Sequence, residues 1–453
     1  MIEVVNPATG ETIARYEETP ASEVRAALEG AERAHGQWRD TPCAERAGRL
    51  REVARLLRRD AADHAVTMAR EMGKPVREGR AEVEKCAWAC EWFAEHAAGF
   101  LAPEPVETGA RQSYVAFEPL GVVLGVMPWN FPFWQVFRFA VPTLMAGNAV
   151  VVKHATKVPG CAEAIEGVFA KAGLPPGAFR SLRVGSRRVG ALIQSPLVRA
   201  VAFTGSVEAG REVARKSAAA LKKTVLELGG SDPYLILHDA DVAAAAEVCA
   251  QSRLLNGGQS CIAAKRFIVV STQRKEFEER LVDRMRAARM GDPLDEATTL
   301  GPLVDRDACR RLDAQVRASL ELGAVRLLGG SPVEGPGAFY PPAVLSDVTP
   351  GMPAFDEEVF GPVAAVIPVA EEREAIRLAN ESPFGLGAAV FTRDLARGER
   401  IARRLEAGSV VVNGMVRSDP RLPFGGVKDS GWGRELSRHG IREFVNVKSV
   451  RIA

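Results

Sequence analysis

The chain has 453 residues, of which 47% are hydrophobic and 26% charged, with a formal net charge of +2. This composition is that of a globular protein with more than one domain, because a single hydrophobic core rarely serves so long a chain. The small net charge gives no electrostatic reason to expect binding to nucleic acid or to an anionic membrane.

The cysteines and the first residues indicate the compartment. The seven cysteines are scattered, without the CxxC pair or even framework that would indicate a metal site or structural disulfides. Cys86 and Cys90 are spaced for one helix face, but no further ligands accompany them, so we expect no metal site. No signal peptide is visible and no apolar run reaches spanning length, so we expect a cytoplasmic protein.

The first hundred residues are predicted to be mainly helical. Apolar residues recur at helical spacing among Arg and Glu over 22–38 and 44–72, and an Ala- and aromatic-rich segment over 85–100 predicts a third helix. The segment 112–118 then alternates like a half-exposed strand, after a stretch that contains Pro and Gly. This strand is expected to be an excursion from the main fold.

From residue 121 onward, short apolar strands alternate with helices. Such alternation predicts a parallel sheet joined by right-handed crossovers, and ligands bind at the carboxyl ends of strands in such sheets. A second alternating region over 234–412 predicts another domain of the same kind, so the fold class is α/β. The strands of the first region are predicted at 121–126, 149–152, 181–184, 201–203 and 224–228, and the helices at 136–145, 161–172 and 207–220.

One cysteine lies in a glycine-rich segment, NGGQSCIAAKR at 256–266, directly before a β-rich stretch. Glycines allow the backbone to approach a ligand closely and leave room around the sulfur of Cys261. The thiolate is the nucleophile in cysteine chemistry, so such a residue needs access and a nearby base or dipole. By itself, the segment is equally compatible with a buried, inert cysteine.

Polar residues follow several predicted strands at the edge where ligands are expected. Asn130, in the PWNFP loop after the first strand, offers an amide donor, and Lys153 ends the next strand. The FTGS segment, which begins at Phe203, closes a strand and opens a helix whose free N–H groups suit a phosphate. Alone, each is compatible with a turn residue, a solvated lysine or an ordinary helix start.

Two acidic motifs and a glycine-rich tail complete the set. Glu227 lies at the apolar end of a strand in LELGG, where a carboxylate is paired, exposed, or a general base with a shifted pKa. Glu358 lies among aromatic residues in EEVFGPV, a pattern that is ordinarily a solvated loop. The tail carries PFGG at 423–426 and SGWGRE at 430–435.

Taken together, PWNFP, the strand-end lysine, FTGS, LELGG, GQSC, EEVFGPV and PFGG resemble the aldehyde dehydrogenase superfamily, in that family's order and over essentially the full chain. The resemblance implies a Rossmann-like NAD(P)-binding domain, an α/β catalytic domain and a small β oligomerisation arm, assembled as a homodimer or homotetramer. The expected segments are 1–101 and 120–229 with a return segment at 430–441 for the first, 230–429 for the second, and 102–119 with 442–453 for the arm.

Carried over position by position, the resemblance implies an enzyme that oxidises a small-molecule aldehyde to an acid with NAD(P). Cys261 would be the nucleophile, Glu227 the general base and Asn130 the side-chain half of the oxyanion hole. No metal is implied. The expected cofactor-binding residues are Trp129, Lys153, Thr156, Lys157, Thr204, Gly205, Ser206, Glu358 and Phe360.

The position of Thr156 favours one cofactor. NAD-preferring members of the superfamily often have a glutamate there, and its charge would repel the 2′-phosphate of NADP. Here Thr156 and Lys157 offer a hydroxyl and an ammonium instead. We therefore expect NADP to be preferred, with NAD accepted more weakly.

Arg138 follows the Asn130 loop in a predicted helix that should flank the substrate tunnel. A guanidinium among aromatic residues needs an anionic partner, and a carboxylate matches its geometry best. With Ser418 in the loop MVRSDP, Arg138 resembles the carboxylate clamp of the succinate-semialdehyde dehydrogenases, in their shorter bacterial and cyanobacterial branch. The other possibility is that Arg138 pairs with an acid of the protein itself.

Four other functions remain open at this stage. A broad-specificity enzyme for neutral aliphatic or aromatic aldehydes would differ only where it recognises the rest of the substrate. A CoA-acylating enzyme typically lacks the glutamate matched by Glu227, and a catalytically inactive structural or binding protein could lose Cys261, Glu227 or Asn130 freely. A cysteine hydrolase would need a partner for Cys261, and none of the six histidines lies in a motif that suggests one.

Overall fold

The computed structural model describes residues 1–453, and no helix in it is both long and apolar enough to cross a bilayer. The helices are α1 Ala21–Asp40, α2 Cys43–Arg59, α3 Ala61–Met72, α4 Val76–Phe100, α5 Trp134–Met145, α6 Pro159–Lys171, α7 Val189–Gln194, α8 Val207–Ala219, α9 Val242–Leu254, α10 Ser271–Arg286, α11 Arg306–Glu321, α12 Pro353–Asp356, α13 Glu372–Asn380, α14 Leu395–Ala402 and α15 Ser437–Ile441. The strands are β1 Ile2–Val5, β2 Thr12–Tyr16, β3 Glu104–Pro105, β4 Gln112–Pro119, β5 Val122–Met127, β6 Ala149–His154, β7 Phe179–Ser181, β8 Val198–Thr204, β9 Lys223–Glu227, β10 Asp232–Ile236, β11 Ala264–Val270, β12 Val325–Leu328, β13 Ala343–Ser346, β14 Val363–Val369, β15 Phe384–Gly385, β16 Gly387–Phe391, β17 Ser409–Val412, β18 Val427–Lys428, β19 Gly431–Trp432 and β20 Val445–Ile452.

A six-stranded sheet has the order β19-β9-β8-β5-β6-β7 and is parallel except for β19. The chain runs outward from β5 through β6 and β7, then returns to the other side of β5 with β8 and β9. The strand order therefore reverses between β5 and β8, and such a reversal opens a ligand-binding crevice at the carboxyl ends of the strands. Separate apolar clusters cover the two faces of this sheet, which explains why its strands are continuously hydrophobic.

A seven-stranded sheet has the order β12-β13-β14-β11-β10-β16-β17, and only β12 is antiparallel to its neighbour. Apolar clusters again pack on both faces. The chain crosses from the first sheet to the second between β9 and β10, through the glycine pair Gly229 and Gly230. The carboxyl end of β9 is therefore tied directly to the start of β10.

A three-stranded sheet lies apart from these two, with β4 between β3 and β20. Strands β4 and β20 pair antiparallel from Gln112 with Ile452 to Pro119 with Val445. The outer edge of β20 pairs with no other strand of the chain, and Val447 on β20 is 62% exposed. An open strand edge of this kind can pair with a second chain.

The strands of each of these three sheets come from the segments that the sequence assigned to one predicted domain. The six-stranded sheet uses 120–229 and 430–441, the seven-stranded sheet 230–429, and the three-stranded sheet 102–119 and 442–453. We propose that the chain divides into a cofactor domain, a catalytic domain and an arm along these lines.

The prediction of one helix over 44–72 is wrong, because α2 ends at Arg59 and the next residue, Asp60, has a φ of −102° and a ψ of 16°, which are not helical. Both α2 and α3 pack against α4, so their apolar spacing continues across the break and hides it in the sequence. The helix predicted at 85–100 starts earlier, at Val76. Pro75 precedes it, and Gly79 allows close contact with α3, since an added Cβ would lie 2.9 Å from that of Ala65.

The strand predicted at 181–184 is also displaced, because β7 covers Phe179–Ser181. Leu182 and Val184 lie in the core beside the strand. The N–H of Leu182 still donates to the carbonyl of Val152, at 2.7 Å. The apolar signal therefore reflected burial of these two side chains rather than strand pairing.

Candidate active site

Four of the predicted residues lie at or just after the carboxyl ends of neighbouring parallel strands. Asn130 follows β5, Lys153 is near the end of β6, Thr204 ends β8 and Glu227 ends β9. Because the strand order reverses between β5 and β8, these ends surround one crevice. Cys261 reaches the same crevice from the second sheet, in the loop between α9 and β11. The site therefore lies between the two large sheets.

The loop that carries Cys261 has an unusual backbone. Asn256, Gly257 and Gly258 have φ angles of 55°, 63° and 74°, in the left-handed region that favours glycine and, after it, asparagine. An added Cβ at Gly258 would lie 2.2 Å from the carbonyl oxygen of Gly361. The glycines thus let the Cys261 loop turn sharply against the segment that carries Glu358.

The thiol of Cys261 and the carboxylate of Glu227 face each other, with Sγ 3.6 Å from Oε2. Burial, and after it the charge of Glu227, raises the pKa of the Cys261 thiol well above its ordinary value. Burial also raises the pKa of Glu227 to about 7. The pair therefore combines a protonated thiol with a carboxyl group that titrates near neutrality and can take its proton.

Arg138 lies against Glu227. Its Nη2 donates to Oε2 of Glu227 at 3.2 Å, and its guanidinium also forms an ion pair with Glu435. The side chain is buried, with its guanidinium carbon 4.5 Å from the centre of the Phe424 ring. Burial raises the pKa of Glu227 most, Arg138 opposes that effect and Glu435 adds to it. Of the two partners considered from the sequence, the acids of the protein itself are the ones that Arg138 contacts.

Asn130 is held with one amide donor to spare. Its Nδ2 donates to the carbonyl of Gln259 at 3.1 Å, and an amide nitrogen carries two N–H groups. The carbonyl of Asn130 accepts a hydrogen bond from Nδ2 of Asn256 at 2.7 Å, which ties the two loops together. The backbone N–H of Cys261 donates to no protein acceptor. Asn130 and Cys261 line one cavity, and each has an N–H without a protein acceptor that an oxyanion there could use.

A cavity of about 230 Å³ contains both Cys261 and Glu227. The first turn of α8 opens towards it after Ser206, whose hydroxyl accepts the N–H of Ala209. The remaining N–H groups of that turn suit a phosphate. Other predicted residues that line this cavity are Trp129, Asn130, Thr204, Gly205, Ser206, Glu358 and Phe360.

Glu358 is oriented by a lysine that the sequence did not single out. Its Oε1 accepts the N–H of Gly230 at 3.0 Å and lies 3.6 Å from Nζ of Lys265. Lys265 also donates to the carbonyl of Cys261 at 2.8 Å. An added Cβ at Gly229 would lie 2.6 Å from Oε2 of Glu358. The glycine pair after Glu227 is therefore required for this close approach.

The other three predicted cofactor residues lie beyond that cavity, at and after the end of β6. Lys153 is buried, burial lowers its pKa, and its ammonium has no carboxylate or carbonyl partner in the protein. Thr156 is half-buried. Lys157 is exposed and pairs with Asp305 at 3.0 Å, so its charge is shared with a protein acid.

A second cavity, of about 310 Å³, also reaches Cys261. Both Arg138 and Ser418 line it, so the two predicted substrate-binding residues share one space with Cys261. Gln135 lines both cavities. The two cavities thus meet at Cys261, as a cofactor and a substrate must in a transfer reaction. Most of the remaining wall is apolar and includes Phe131, Trp134, Ile262 and Phe424.

The model of the aldehyde dehydrogenase family matches residues 1–450. The chain belongs to the aldehyde dehydrogenase family. It is accordingly an NAD(P)-dependent oxidoreductase of aldehydes, and the resemblance inferred from the motifs is confirmed. A cysteine beside a carboxylate, with two free N–H donors, is the arrangement that this chemistry needs.

Related proteins share the whole length of the chain. A protein of Synechocystis described as a probable succinate-semialdehyde dehydrogenase (NADP+) is 47% identical, with 100% of both chains covered. A succinate semialdehyde dehydrogenase (NAD(P)+) of Escherichia coli is 45% identical and covers 98% of this chain and 96% of its own. The succinic semialdehyde dehydrogenase of Streptococcus pyogenes, solved with NADP+, has a TM-score of 0.97 at 36% identity, with 100% of both chains covered. The predicted fold class is confirmed.

Proposed function

We propose that this aldehyde dehydrogenase oxidises succinate semialdehyde to succinate with NADP+ as the preferred cofactor. The observation that carries the proposal is the second cavity, where cationic side chains and the Ser418 hydroxyl share one space with Cys261. A substrate with an aldehyde at one end and a carboxylate at the other matches that lining. The relatives described as succinate-semialdehyde dehydrogenases support the same substrate.

Cys261 acts as the nucleophile and Glu227 as its base. Glu227 takes the thiol proton across the 3.6 Å contact, and the thiolate adds to the aldehyde carbon. Loss of a hydride from the adduct, which a bound nicotinamide would accept, would leave a thioester on Cys261. Glu227, once it has released the thiol proton to solvent, would deprotonate the water that hydrolyses this thioester. The Oε1 atom of Glu227 supports this second role, because it is buried with no hydrogen-bond partner in the protein.

The negative oxygen that forms at the aldehyde carbon is stabilised by the second N–H of Asn130 and the backbone N–H of Cys261. Both donors are available, since only the first N–H of Asn130 bonds to Gln259 and the N–H of Cys261 has no protein acceptor. Removing one such donor costs roughly 3 kcal/mol of transition-state stabilisation, which is about a hundredfold or more in rate.

The cofactor would lie along the ends of β5, β6 and β8. A nicotinamide dinucleotide supplies the hydride acceptor when bound, and the residues present fit it. The buried ammonium of Lys153 has no protein partner and suits ribose hydroxyls, as does Glu358. Trp129 and Phe360, whose rings are 6.0 Å apart and perpendicular, would enclose the nicotinamide end. The Thr204, Gly205 and Ser206 turn would approach a phosphate.

NADP is preferred in this proposal because Thr156 brings no negative charge to the 2′-position of the adenosine ribose. Lys157 contributes less than a free lysine would, since it is paired with Asp305 at 3.0 Å. NAD lacks the 2′-phosphate but can occupy the same site, so we expect the enzyme to use it with a higher KM than NADP.

The oligomer is proposed to be a homodimer or homotetramer that forms through the three-stranded sheet. Strand β20 has an open edge and an exposed Val447, and an unpaired edge is stabilised by pairing with a second copy. Sedimentation or light scattering of the wild type and of a Val447→Pro variant tests this. A monomeric wild type would contradict it.

A broad-specificity aldehyde dehydrogenase is the second candidate, because much of the second cavity is apolar. The test is a panel of succinate semialdehyde, butyraldehyde and benzaldehyde with NADP+, with succinate measured alongside NADPH. The proposal expects the semialdehyde to have the highest kcat/KM and to yield one succinate for each NADPH. Equal kcat/KM values across the panel would favour the second candidate.

A further inference from the structure

A buried lysine near the start of β11 lies directly behind the Cys261 loop. Lys265 is only 1% exposed, and it lines neither of the two cavities that meet at Cys261. A buried ammonium is costly unless hydrogen bonds and charges in the protein compensate it. The partners of Lys265 therefore indicate its role.

Three backbone carbonyls surround the ammonium of Lys265. Its Nζ donates to the carbonyl of Ser260 at 2.9 Å and to that of Cys261 at 2.8 Å. A third carbonyl, that of Ala263, accepts from it at 3.4 Å. Carbonyls only accept hydrogen bonds, and a lysine has three N–H donors only when it is protonated. The side chain is therefore charged in this position.

The charged groups near Lys265 do not take its hydrogen bonds. Oε1 of Glu358 is 3.6 Å from Nζ, which is longer than a hydrogen bond. Burial lowers the pKa of Lys265 most, and the charge of Glu358 opposes that effect. Of the other neighbours, Arg253 lowers the same pKa and Asp232 raises it. The ammonium thus directs its donors at the Cys261 loop rather than at an acid.

One of the three carbonyls belongs to the peptide that carries the free N–H of Cys261. The C=O of Ser260 and the N–H of Cys261 are the two ends of a single planar peptide unit. That carbonyl accepts from Lys265 and also from the N–H of Ala263 at 3.2 Å. Hydrogen bonds in such a chain polarise one another. The N–H of Cys261 is therefore a stronger donor than an ordinary backbone N–H.

The carbonyl of Cys261 is fixed by the same ammonium and by close packing. An added Cβ at Gly230 would lie 2.5 Å from this oxygen, so the segment between β9 and β10 leaves room for it only because residue 230 is glycine. The peptides on both sides of Cys261 are thus held by Lys265. Turning the N–H of Cys261 away from the cavity would break these hydrogen bonds.

Lys265 also brings positive charge close to the sulfur. Burial, and after it Glu227, raises the pKa of the Cys261 thiol, and Glu358 adds to that rise. The cations Arg138 and Lys265 oppose it. Arg138 already pairs with two carboxylates, whereas the hydrogen bonds of Lys265 end on neutral carbonyls. Negative charge on the sulfur, or on the oxygen of the aldehyde adduct, is therefore stabilised from behind the loop.

We propose that Lys265 is a positioning residue for Cys261. Through the carbonyls of Ser260 and Cys261 it fixes and polarises the peptide whose N–H meets the oxyanion, and its charge stabilises the Cys261 thiolate. The inference rests on the proposed function, because it needs Cys261 as the nucleophile. It deepens that function by giving a role to a residue that lines neither cavity.

Arg266, the next residue of β11, provides the matched control. It is equally buried, and its guanidinium also donates to three backbone carbonyls, those of Ser231, Leu378 and Ala379. None of these belongs to the Cys261 loop, because successive side chains of a strand point to opposite faces. Arg266→Met therefore removes a comparable buried cation without changing the surroundings of Cys261.

The first measurement is the rate at which iodoacetamide alkylates Cys261, followed by mass spectrometry of the peptide that contains it, across the pH range in which the protein stays folded. The thiolate is the reactive form. Lys265→Met should therefore move the midpoint of the profile to higher pH by about one unit or more. Lys265→Arg should restore most of the change, and Arg266→Met should keep the wild-type midpoint. Glu227 is present in every variant, so its own titration contributes equally to each profile.

The second measurement is the rate of NADPH formation in the first turnover of succinate semialdehyde. NADP+ is kept saturating, because Lys265 also lies near Glu358. Loss of a whole oxyanion donor costs about a hundredfold or more, so a donor weakened by Lys265→Met should lower this rate by about 10- to 100-fold. KM for the aldehyde should stay within about threefold, because an interaction made only in the transition state does not change substrate binding.

The outcomes separate this inference from the proposed function. A wild type that is alkylated at Cys261 and still forms NADPH from succinate semialdehyde overturns Cys261 as the nucleophile and, with it, the role of Lys265. If alkylation inactivates the wild type but Lys265→Met keeps the wild-type midpoint or the wild-type rate, the role of Lys265 alone is overturned. A shift of equal size in Arg266→Met would also overturn it, because the effect would then follow from the loss of any buried cation.

A second variant covers the case in which Lys265→Met does not fold, as judged by thermal denaturation. Lys265→Gln then replaces it, since glutamine keeps N–H donors for the carbonyls but carries no charge. We expect the midpoint of alkylation to move to higher pH in this variant as well, with a smaller loss of the first-turnover rate. A midpoint equal to that of the wild type would contradict the inference.

Discussion

The Oε2 atom of Glu227 lies 3.6 Å from the sulfur of Cys261. These two groups come from different sheets, one from the end of β9 and the other from the loop before β11. Their contact joins the crevice of the six-stranded sheet to the loop that leads into the seven-stranded sheet. The carboxylate of Glu227 is thus within reach of the thiol proton, and it is held by Arg138.

Replacing Glu227 with Gln should lower kcat by about 10²- to 10⁴-fold, the usual contribution of a general base. The amide cannot take the proton of Cys261 or activate water. Steady-state NADPH formation with succinate semialdehyde measures the loss, and the Kd for NADP+ is expected to be unchanged. A kcat within threefold of the wild type would mean that another group is the base.

The neighbouring acid Glu435 should set the pH at which the enzyme becomes active. Burial raises the pKa of Glu227 to about 7, and Glu435 contributes to that rise, so kcat should increase as pH rises through about 7 and Glu227 ionises. In Glu435→Gln the like charge is gone, the pKa of Glu227 falls, and the acid limb of the kcat profile moves to lower pH. The control is Glu279→Gln, at an exposed glutamate of α10, and it should leave the profile unchanged. An acid limb that moves to higher pH, or that does not move, would contradict a contribution of Glu435 to the pKa of Glu227.

Arg138→Met should destabilise the protein by about 3–5 kcal/mol, because it leaves Glu227 and Glu435 buried without their cation. The pKa values of both acids would rise further above those of the unfolded chain. The loss of stability should therefore be greatest at pH above those raised values and smaller in acid, where both carboxylates are protonated. Thermal denaturation at two pH values measures it, with Arg138→Lys as the variant that keeps the charge. A melting temperature equal to that of the wild type at high pH would contradict the ion pairs.

Thr156→Glu should invert the cofactor preference. A carboxylate at this position repels the 2′-phosphate of NADP but can accept a hydrogen bond from the 2′-hydroxyl of NAD. We expect kcat/KM for NADP to fall by at least about tenfold while that for NAD changes little or improves. Lys157→Ala is the comparison, and it should have a smaller effect because Lys157 is paired with Asp305. A Thr156→Glu variant that still prefers NADP would locate the 2′-phosphate elsewhere.

Much of the site could be predicted because its residues follow the strands directly. Asn130, Lys153 and Glu227 each lie beside the end of an apolar strand, and alternating strands and helices bring those ends to one edge. At Gly257 and Gly258 the sequence predicted only that the backbone could approach a ligand closely, and their left-handed conformation is known from the structure alone.

Other features depend on contacts between distant parts of the chain, which local pattern does not record. Glu435 pairs with Arg138 although almost 300 residues separate them, and only the burial of both makes the pair strong. Lys85 lies in a helix, where a lysine is normally on the solvated face. Its Nζ lies 2.7 Å from Oγ of Ser418, more than 300 residues further along the chain, and this contact could not be read from the sequence.

The most direct measurement is the mass of the enzyme after rapid mixing with succinate semialdehyde and NADP+ and quenching in acid. The account predicts that one succinyl group is attached to Cys261, that it is identified on the peptide containing Cys261, and that none forms in Cys261→Ala. A succinyl group on another residue, or turnover that persists in Cys261→Ala, would contradict the assignment of Cys261 as the nucleophile that oxidises this aldehyde.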